Sequence, residues 1–233
     1  MNHLSTLPGF VNPVDDAQAV FRAVLAAFSR PGIPVPLDSR KLPPAVPGLS
    51  QGPLALALAL CDGDTPLWLD AAANTPEARH HLRFHCAAPF AANPSEAAFA
   101  FISRPEDMPR LSAFNPGRAD FPDRSATLVI TVGPARAGAS DMELSGPGVK
   151  GDDRGARQRF RVSGLPPWFW QDWEENHAAY PLGVDVVFVG AAATGAGEPS
   201  VCLLGLPRTA RVRRADGSPL VPASKEHAAC MSL

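Results

Sequence analysis

At 233 residues, 45% of them hydrophobic and 19% charged, the chain is long enough for one domain with a real core and too apolar for a disordered protein. Its net charge of -2 argues against a dedicated nucleic-acid binder, and only three of the 21 basic residues are lysines, Lys41, Lys150 and Lys225. Four cysteines without C-x-x-C spacing give no disulfide or zinc framework, and no apolar run is long enough to span a bilayer, so a cytoplasmic protein away from the membrane is expected.

In chain order, the first element is a helix over Pro13–Ser29. Asn12 stands at its cap, Pro13 in its first turn, Asp15 and Asp16 at the positive end of its dipole, and Arg30-Pro31-Gly32 stops it. Phe21, Val24, Leu25 and Phe28 form the stripe expected to face the core. A proline-rich crossing leads to an apolar helix over Pro53–Cys61, and Asp62-Gly63-Asp64-Thr65 turns the chain into a strand at Leu67–Leu69. Thr75-Pro76-Glu77 caps a third helix reaching His85. Strands follow at Ala98–Ile102 and Ala126–Val132, with a short helix begun by Pro105 between them.

Residues Gly146 to Gly151 spell G-x-G-x-x-G, the dinucleotide fingerprint. That motif needs a helix whose N-terminus meets the pyrophosphate, yet Asp152-Asp153-Arg154-Gly155 begins no apolar helical stripe and would repel phosphate. The segment is read as a glycine-rich turn between strands near Met142–Leu144 and Phe160–Val162, and no NAD is expected. A helix over Pro166–Ala179 and apolar strands at Val184–Val189 and Val201–Leu206 complete the pattern. Helices and strands alternate early and strands cluster late, which predicts an α/β layered fold with a mixed sheet, a single domain over 1–214 and a C-terminal extension over 215–233.

Several residues could carry chemistry. His81 and His85 are four apart, a metal-ligand spacing without a third ligand nearby, so no metal is expected. Asp185 lies in an apolar run, where a carboxylate is either a perturbed site residue or a structural group bonded to backbone N–H at the strand's start. Phe169 and Trp173 form an inner stripe flanked by Trp170. Trp168 falls off it and is a candidate partner anchor or a half-buried ring. Arg208, Arg211, Arg213 and Arg214 follow the last apolar strand. With Arg124 and Ser125 before the strand at Ala126, they line an anion site at strand ends or form a solvated basic edge. Backbone N–H groups at Gly146 and Gly148 would complete such a site as a nest for phosphate oxygens.

Read together, Gly9-Phe10, Pro13-Val14, Asp16-Ala17-Gln18, Ser29-Arg30-Pro31-Gly32, Leu82-Arg83-Phe84-His85, Pro122-Asp123-Arg124-Ser125, Leu144-Ser145-Gly146-Pro147-Gly148, Trp168-Phe169-Trp170 with Trp173 and Asn176, Pro181-Leu182-Gly183-Val184-Asp185 and Leu206-Pro207-Arg208-Thr209 form a specific pattern. From about Gly9 to Val212 it resembles the PhnH family, a component of the carbon-phosphorus lyase core complex. One departure follows His85, where Cys86-Ala87-Ala88 replaces the Thr-Gly pair of that pattern.

The resemblance implies a cytoplasmic protein of phosphonate catabolism that assembles with the other core-complex subunits (G, I and J), supporting formation of ribose 1-methylphosphonate 5-triphosphate from ATP and methylphosphonate with loss of adenine. It also implies a homodimer when alone, ATP or phosphonate as a ligand, and a fold like the large domain of pyridoxal-phosphate-dependent transferases without the cofactor. None of the three lysines follows a core strand, so no pyridoxal phosphate is expected. The expected role is scaffold or accessory subunit, with Trp168 and Trp170 as interface candidates. The rival is a free-standing enzyme using Asp185 and His85 as an acid/base pair on a phosphorylated small molecule.

Overall fold

The computed structural model describes residues 7–133, 136–149, 157–191 and 201–220, apart from the side chains of 136–140; most of the expected C-terminal extension lies outside the described residues. Its elements are α1 (Pro13–Ser29), β1 (Val35–Pro36), α2 (Gln51–Leu60), β2 (Leu67–Leu69), α3 (Pro76–Cys86), β3 (Phe99–Ile102), β4 (Thr127–Thr131), β5 (Arg136–Ser145), β6 (Gln158–Arg161), α4 (Phe169–Ala178), β7 (Asp185–Ala191), β8 (Val201–Leu206) and β9 (Arg211–Arg214). Short 3-10 turns, among them Pro105–Asp107 and Pro122–Arg124, join them.

A six-stranded mixed sheet in the order β1-β8-β7-β4-β3-β2 forms the middle layer. β2, β3, β4 and β7 run parallel, β8 pairs antiparallel with β7, and β1 pairs antiparallel with β8 at the edge. Because successive side chains point to opposite faces, each strand feeds two cores. Phe101, Val129, Val187 and Leu203 pack with α1, α2 and α3. Leu128, Ile130, Val186 and Phe188 pack on the other side with Phe169 and Trp173 of α4. The expected α/β architecture with a mixed sheet is what these strands build.

A second sheet, β6-β5-β9, lies on the α4 side. Met142, Leu144, Phe160 and Val212 supply its buried face. Single strands near Met142, Phe160 and Arg211 were readable from the sequence. Their union was not, because antiparallel pairing across long connections leaves no local signature.

α1 corrects the reading of its own face. Asp16, Val20, Val24 and Ala27 are buried, while Phe21 and Leu25 are 45% and 52% exposed. The reason is the closeness of α1 to β8. A Cβ added at Gly205 would lie 2.5 Å from the Ala27 carbonyl oxygen, so only small side chains fit along that contact. The bulky Phe21 and Leu25 are therefore turned outward, in line with Val14 seven residues before Phe21. α2, apolar on every side, is buried from Gly52 to Ala57 and contacts α1 and α3 as well as the sheet.

The departure after His85 also has a structural outcome. Thr75 caps α3 by accepting a bond from Ala78 N–H, and the helix ends on Ala87 at φ 55°, ψ 13°. Alanine thus takes the left-handed position that glycine fills more cheaply.

Candidate functional site

Three of the sequence candidates, Ser125, Asp185 and Arg208, converge at one place, with Arg124 next to Ser125 in the chain. β7 opens on Asp185, which pairs in register with Thr127 of β4. Arg124 and Ser125 lie just before β4, and Arg208 lies two residues beyond β8. Arg208 donates its backbone N–H to Asp185 Oδ1 at 2.7 Å, and Nε to both carboxylate oxygens at 3.2 Å. Its Nη2 reaches Asp185 Oδ2 at 2.5 Å and also the Ser125 hydroxyl. Its Nη1 donates to the carbonyls of Pro122 and Pro181 at 2.8 and 3.3 Å. The side chains of Arg208 and Asp185 are only 12% and 23% exposed.

This is a clamp that ties the β8–β9 turn to the starts of β4 and β7. It sits at the amino ends of the parallel strands, whereas ligands of open α/β sheets bind outside the carboxyl ends. An external anion would have to displace Asp185, whose charge and geometry already match the guanidinium. Arg124, the other charge candidate, is exposed, with its guanidinium over the Phe121 ring at 4.6 Å.

Gly146 and Gly148 have φ of 132° and 79°. A Cβ on Gly148 would lie 2.5 Å from the Ser29 carbonyl oxygen, and one on Gly146 2.9 Å from that of Thr209. The turn is therefore braced against the end of α1 and the β8–β9 turn, which explains both glycines by close approach of backbone.

Arg211 is exposed and lines a cleft of about 660 Å³ between β9 and α4, together with Glu174, His177, Arg213 and Ser218. His177 Nδ1 lies 3.0 Å from the Arg208 carbonyl oxygen.

The two acid/base candidates have separate surroundings. Asp185 is held by Arg208, whereas His85 stands near the end of α3 with its Nε2 3.1 Å from the Leu7 carbonyl oxygen and its ring against His81. His81 is buried, and neither of its ring nitrogens has a hydrogen-bond partner among the described residues. Burial, with the His85 and His80 rings close by, holds it down to about 4. Among the described residues no group of three or more histidines, cysteines or carboxylates has metal-binding geometry. Burial pushes the thiols of Cys61, Cys86 and Cys202 above the usual range, that of Cys86 to about 11, which makes them poor nucleophiles.

Of the interface candidates, Trp168 is half-buried at the N-terminus of α4 with the Arg110 guanidinium 4.9 Å from its ring centre. Trp170 is also half-buried and packs edge-on against Phe160 and Phe169.

Sequence reasoning missed three carboxylates. Asp70, just past β2, accepts the N–H groups of Ala73, Ser103 and Arg104 at 2.7–2.8 Å. Asp172 on α4 is buried under the fork of Arg110 and caps Leu111 N–H at 3.0 Å. Glu143 on β5 is buried beneath three arginines. An acid between apolar neighbours, as in Trp68-Leu69-Asp70 or Met142-Glu143-Leu144, was the signal that could have found two of them. Also missed was the cleft of about 600 Å³ at the carboxyl ends of β4 and β7, lined by Ser50, Gln51, Thr131, Val189 and Gly190.

Known proteins resemble this chain over most of its length. The family described as bacterial phosphonate metabolism protein (PhnH) matches residues 8–213. A protein of Rhizobium meliloti (strain 1021), named alpha-D-ribose 1-methylphosphonate 5-triphosphate synthase subunit PhnH, is 37% identical over 205 residues, covering 88% of this chain and 94% of the relative. A protein of Stutzerimonas stutzeri, named as the C-P lyase subunit protein HtxG, is 31% identical over 173 residues, covering 74% of this chain and 77% of the relative.

Proposed function

The chain belongs to the PhnH family of bacterial phosphonate metabolism proteins, and from that premise we propose that it is a scaffold subunit of the assembly that makes ribose 1-methylphosphonate 5-triphosphate from ATP and methylphosphonate. The reading places it in the cytoplasm with the G, I and J subunits as partners, inactive by itself, in a fold of the pyridoxal-transferase large-domain type that works without that cofactor. Among the described residues no helix is long and apolar enough to cross a membrane, which is compatible with this location.

The observation that carries the subunit role is the outward stripe of α1. Val11, Val14, Phe21 and Leu25 are all exposed on or beside one helix, and a row of large apolar side chains set in water is a surface awaiting a protein partner. In this reading the stripe packs on another subunit of the assembly, and two copies pair through it when the partners are missing. The internal engagement of Asp70, Glu143, Asp172 and Asp185 supports the same conclusion, because none of these carboxylates is left to act on a substrate. Direct binding of ATP or methylphosphonate has less support: Arg208 and Ser125 are joined in the clamp, and Gly148 is packed on Ser29.

The test is co-expression with the G, I and J subunits. Phe21→Glu/Leu25→Glu should leave circular dichroism unchanged, abolish co-purification of the chain with the other subunits, and give a monomer in isolation. Co-purification at the wild-type level would remove the stripe from the interface, and turnover of ATP and methylphosphonate by the isolated chain would remove the scaffold role.

A further inference from the structure

The outward face of the β6-β5-β9 sheet carries a concentration of arginine unlike the rest of this acidic chain. In the antiparallel register Glu143 stands opposite Arg159 on one side and Arg213 on the other, and Ser145 stands opposite Arg211. With side chains alternating between faces, Arg157, Arg159 and Arg161 of the β6 segment share this face with Arg211 and Arg213 of β9. The opposite face is the buried one, formed by Met142, Leu144, Phe160 and Val212.

Two carboxylates stand among the five arginines. Glu143 is buried and meets Arg213 at 2.6 Å, Arg159 at 3.2 Å and Arg157 at 3.5 Å, so one negative charge holds three guanidiniums about half-exposed above it. Asp141 pairs with Arg161 at 3.0 Å. Arg211 has no acidic partner among the described residues. Among the described side chains, five positive charges against two leave a surplus of three, or of two once Glu174 of α4, which borders the same cleft as Arg211 and Arg213, is included, in a chain whose total is -2.

We propose that this face is a docking surface for an acidic segment of a partner protein. The inference rests on the subunit reading and adds to it a second surface, charged where the α1 stripe is apolar. Shape separates a protein partner from a small phosphorylated ligand. A small anion needs donors converging in a concavity. Here Arg157, Arg159 and Arg161 repeat along the β6 segment every ~6.7 Å rather than converging on a point, and Arg211 and Arg213 stand on β9, on the far side of β5, at the edge of the cleft against α4. That repeat matches alternate carboxylates of an extended acidic segment. Glu143 fixes the side-chain directions beforehand, which lowers the entropy lost on docking. The arginine fork suits carboxylates, and a charge surplus of this kind acts first on the rate of encounter.

The experiment uses the whole chain and the co-purified remaining subunits of the assembly. Association is followed by stopped-flow or biolayer interferometry for wild type and for Arg161→Glu/Arg211→Glu, two positions that do not hold Glu143. The association rate should fall at least tenfold in the variant, wild-type association should slow as sodium chloride is raised, and Arg161→Lys/Arg211→Lys should recover most of the rate. Should the charge-reversed chain fold poorly, Arg161→Gln/Arg211→Gln and the salt series decide the matter. An unchanged rate with no salt dependence overturns the proposal. So does sub-millimolar binding of ATP to the isolated chain that is lost in Arg161→Glu/Arg211→Glu, since the face would then be a phosphate site. Failure of the wild-type chain to associate at all would instead refute the subunit reading, which keeps the two apart.

Discussion

Arg208 shows what residue chemistry in a sequence can and cannot disclose. That Arg124, Ser125, Asp185 and Arg208 are neighbours was legible only in part, from strand ends, because register decides which ends meet. That Asp185 would neutralise Arg208 was hidden, since the two are 23 positions apart. The clamp predicts a graded response. Arg208→Lys keeps a charge but cannot hold Asp185, Ser125 and two carbonyls at once, and Arg208→Ala leaves a half-buried carboxylate without its counter-ion. Urea unfolding should show a loss of roughly 2–4 kcal/mol for Arg208→Ala and about half of it for Arg208→Lys. Arg208→Ala/Asp185→Ala should recover part of the loss, because no orphaned charge remains. His81 gives a residue-scale effect that depends on pH. Its folded value of about 4 lies below the unfolded histidine value near 6.5, so between those limits the unfolded chain binds more protons and stability falls as pH drops. Above that window His81 contributes no slope. His81→Leu removes no hydrogen bond to any described residue, and should change stability little at pH 7 while gaining up to about 2 kcal/mol over wild type at pH 5. Equal effects at both pH values would show that His81 is not buried in its neutral form.

At the scale of elements, periodicity found the helices and strands but misjudged α1. A helical stripe read from one sequence marks where apolar side chains lie, not which neighbour they meet. Phe21, Val24, Leu25 and Phe28 formed as good a stripe as Val20, Val24 and Ala27, and only the bare backbone of Gly205 on β8 selects the second. Two substitutions of opposite sign follow. Gly205→Ala places a methyl 2.5 Å from the Ala27 carbonyl oxygen and 2.6 Å from its carbon, both backbone atoms that cannot swing aside. It should destabilise by roughly 1–3 kcal/mol, as overpacking does. Ala87→Gly relieves the left-handed end of α3 and should stabilise by roughly 0.5–1 kcal/mol. Thermal unfolding of both variants checks the pair, and a stabilising Gly205→Ala would mean that α1 stands further from the sheet than described.

For the molecule as a whole, a sheet with a parallel centre and helices on both faces is a shape that many chemistries share, so the function has to come from the groups placed on it. Composition already pointed away from one such chemistry. Imine formation with pyridoxal phosphate needs an unprotonated lysine at the carboxyl ends of the central strands, and the cleft there is lined by Ser50, Gln51, Thr131, Val189 and Gly190. Lys41 belongs to the 3-10 turn Ser39–Lys41 beside α1, while Lys150 and Lys225 lie outside the described residues. That cleft has no lysine in its lining, and the outer surfaces carry an apolar stripe and an arginine face. In the scaffold reading such a body acts through contact. In that reading the full chain incubated with pyridoxal phosphate should give no imine absorbance and no adduct after borohydride reduction, whereas a reduced adduct at Lys150 or Lys225 would bring an amine to a site and favour an enzymatic role over the scaffold one.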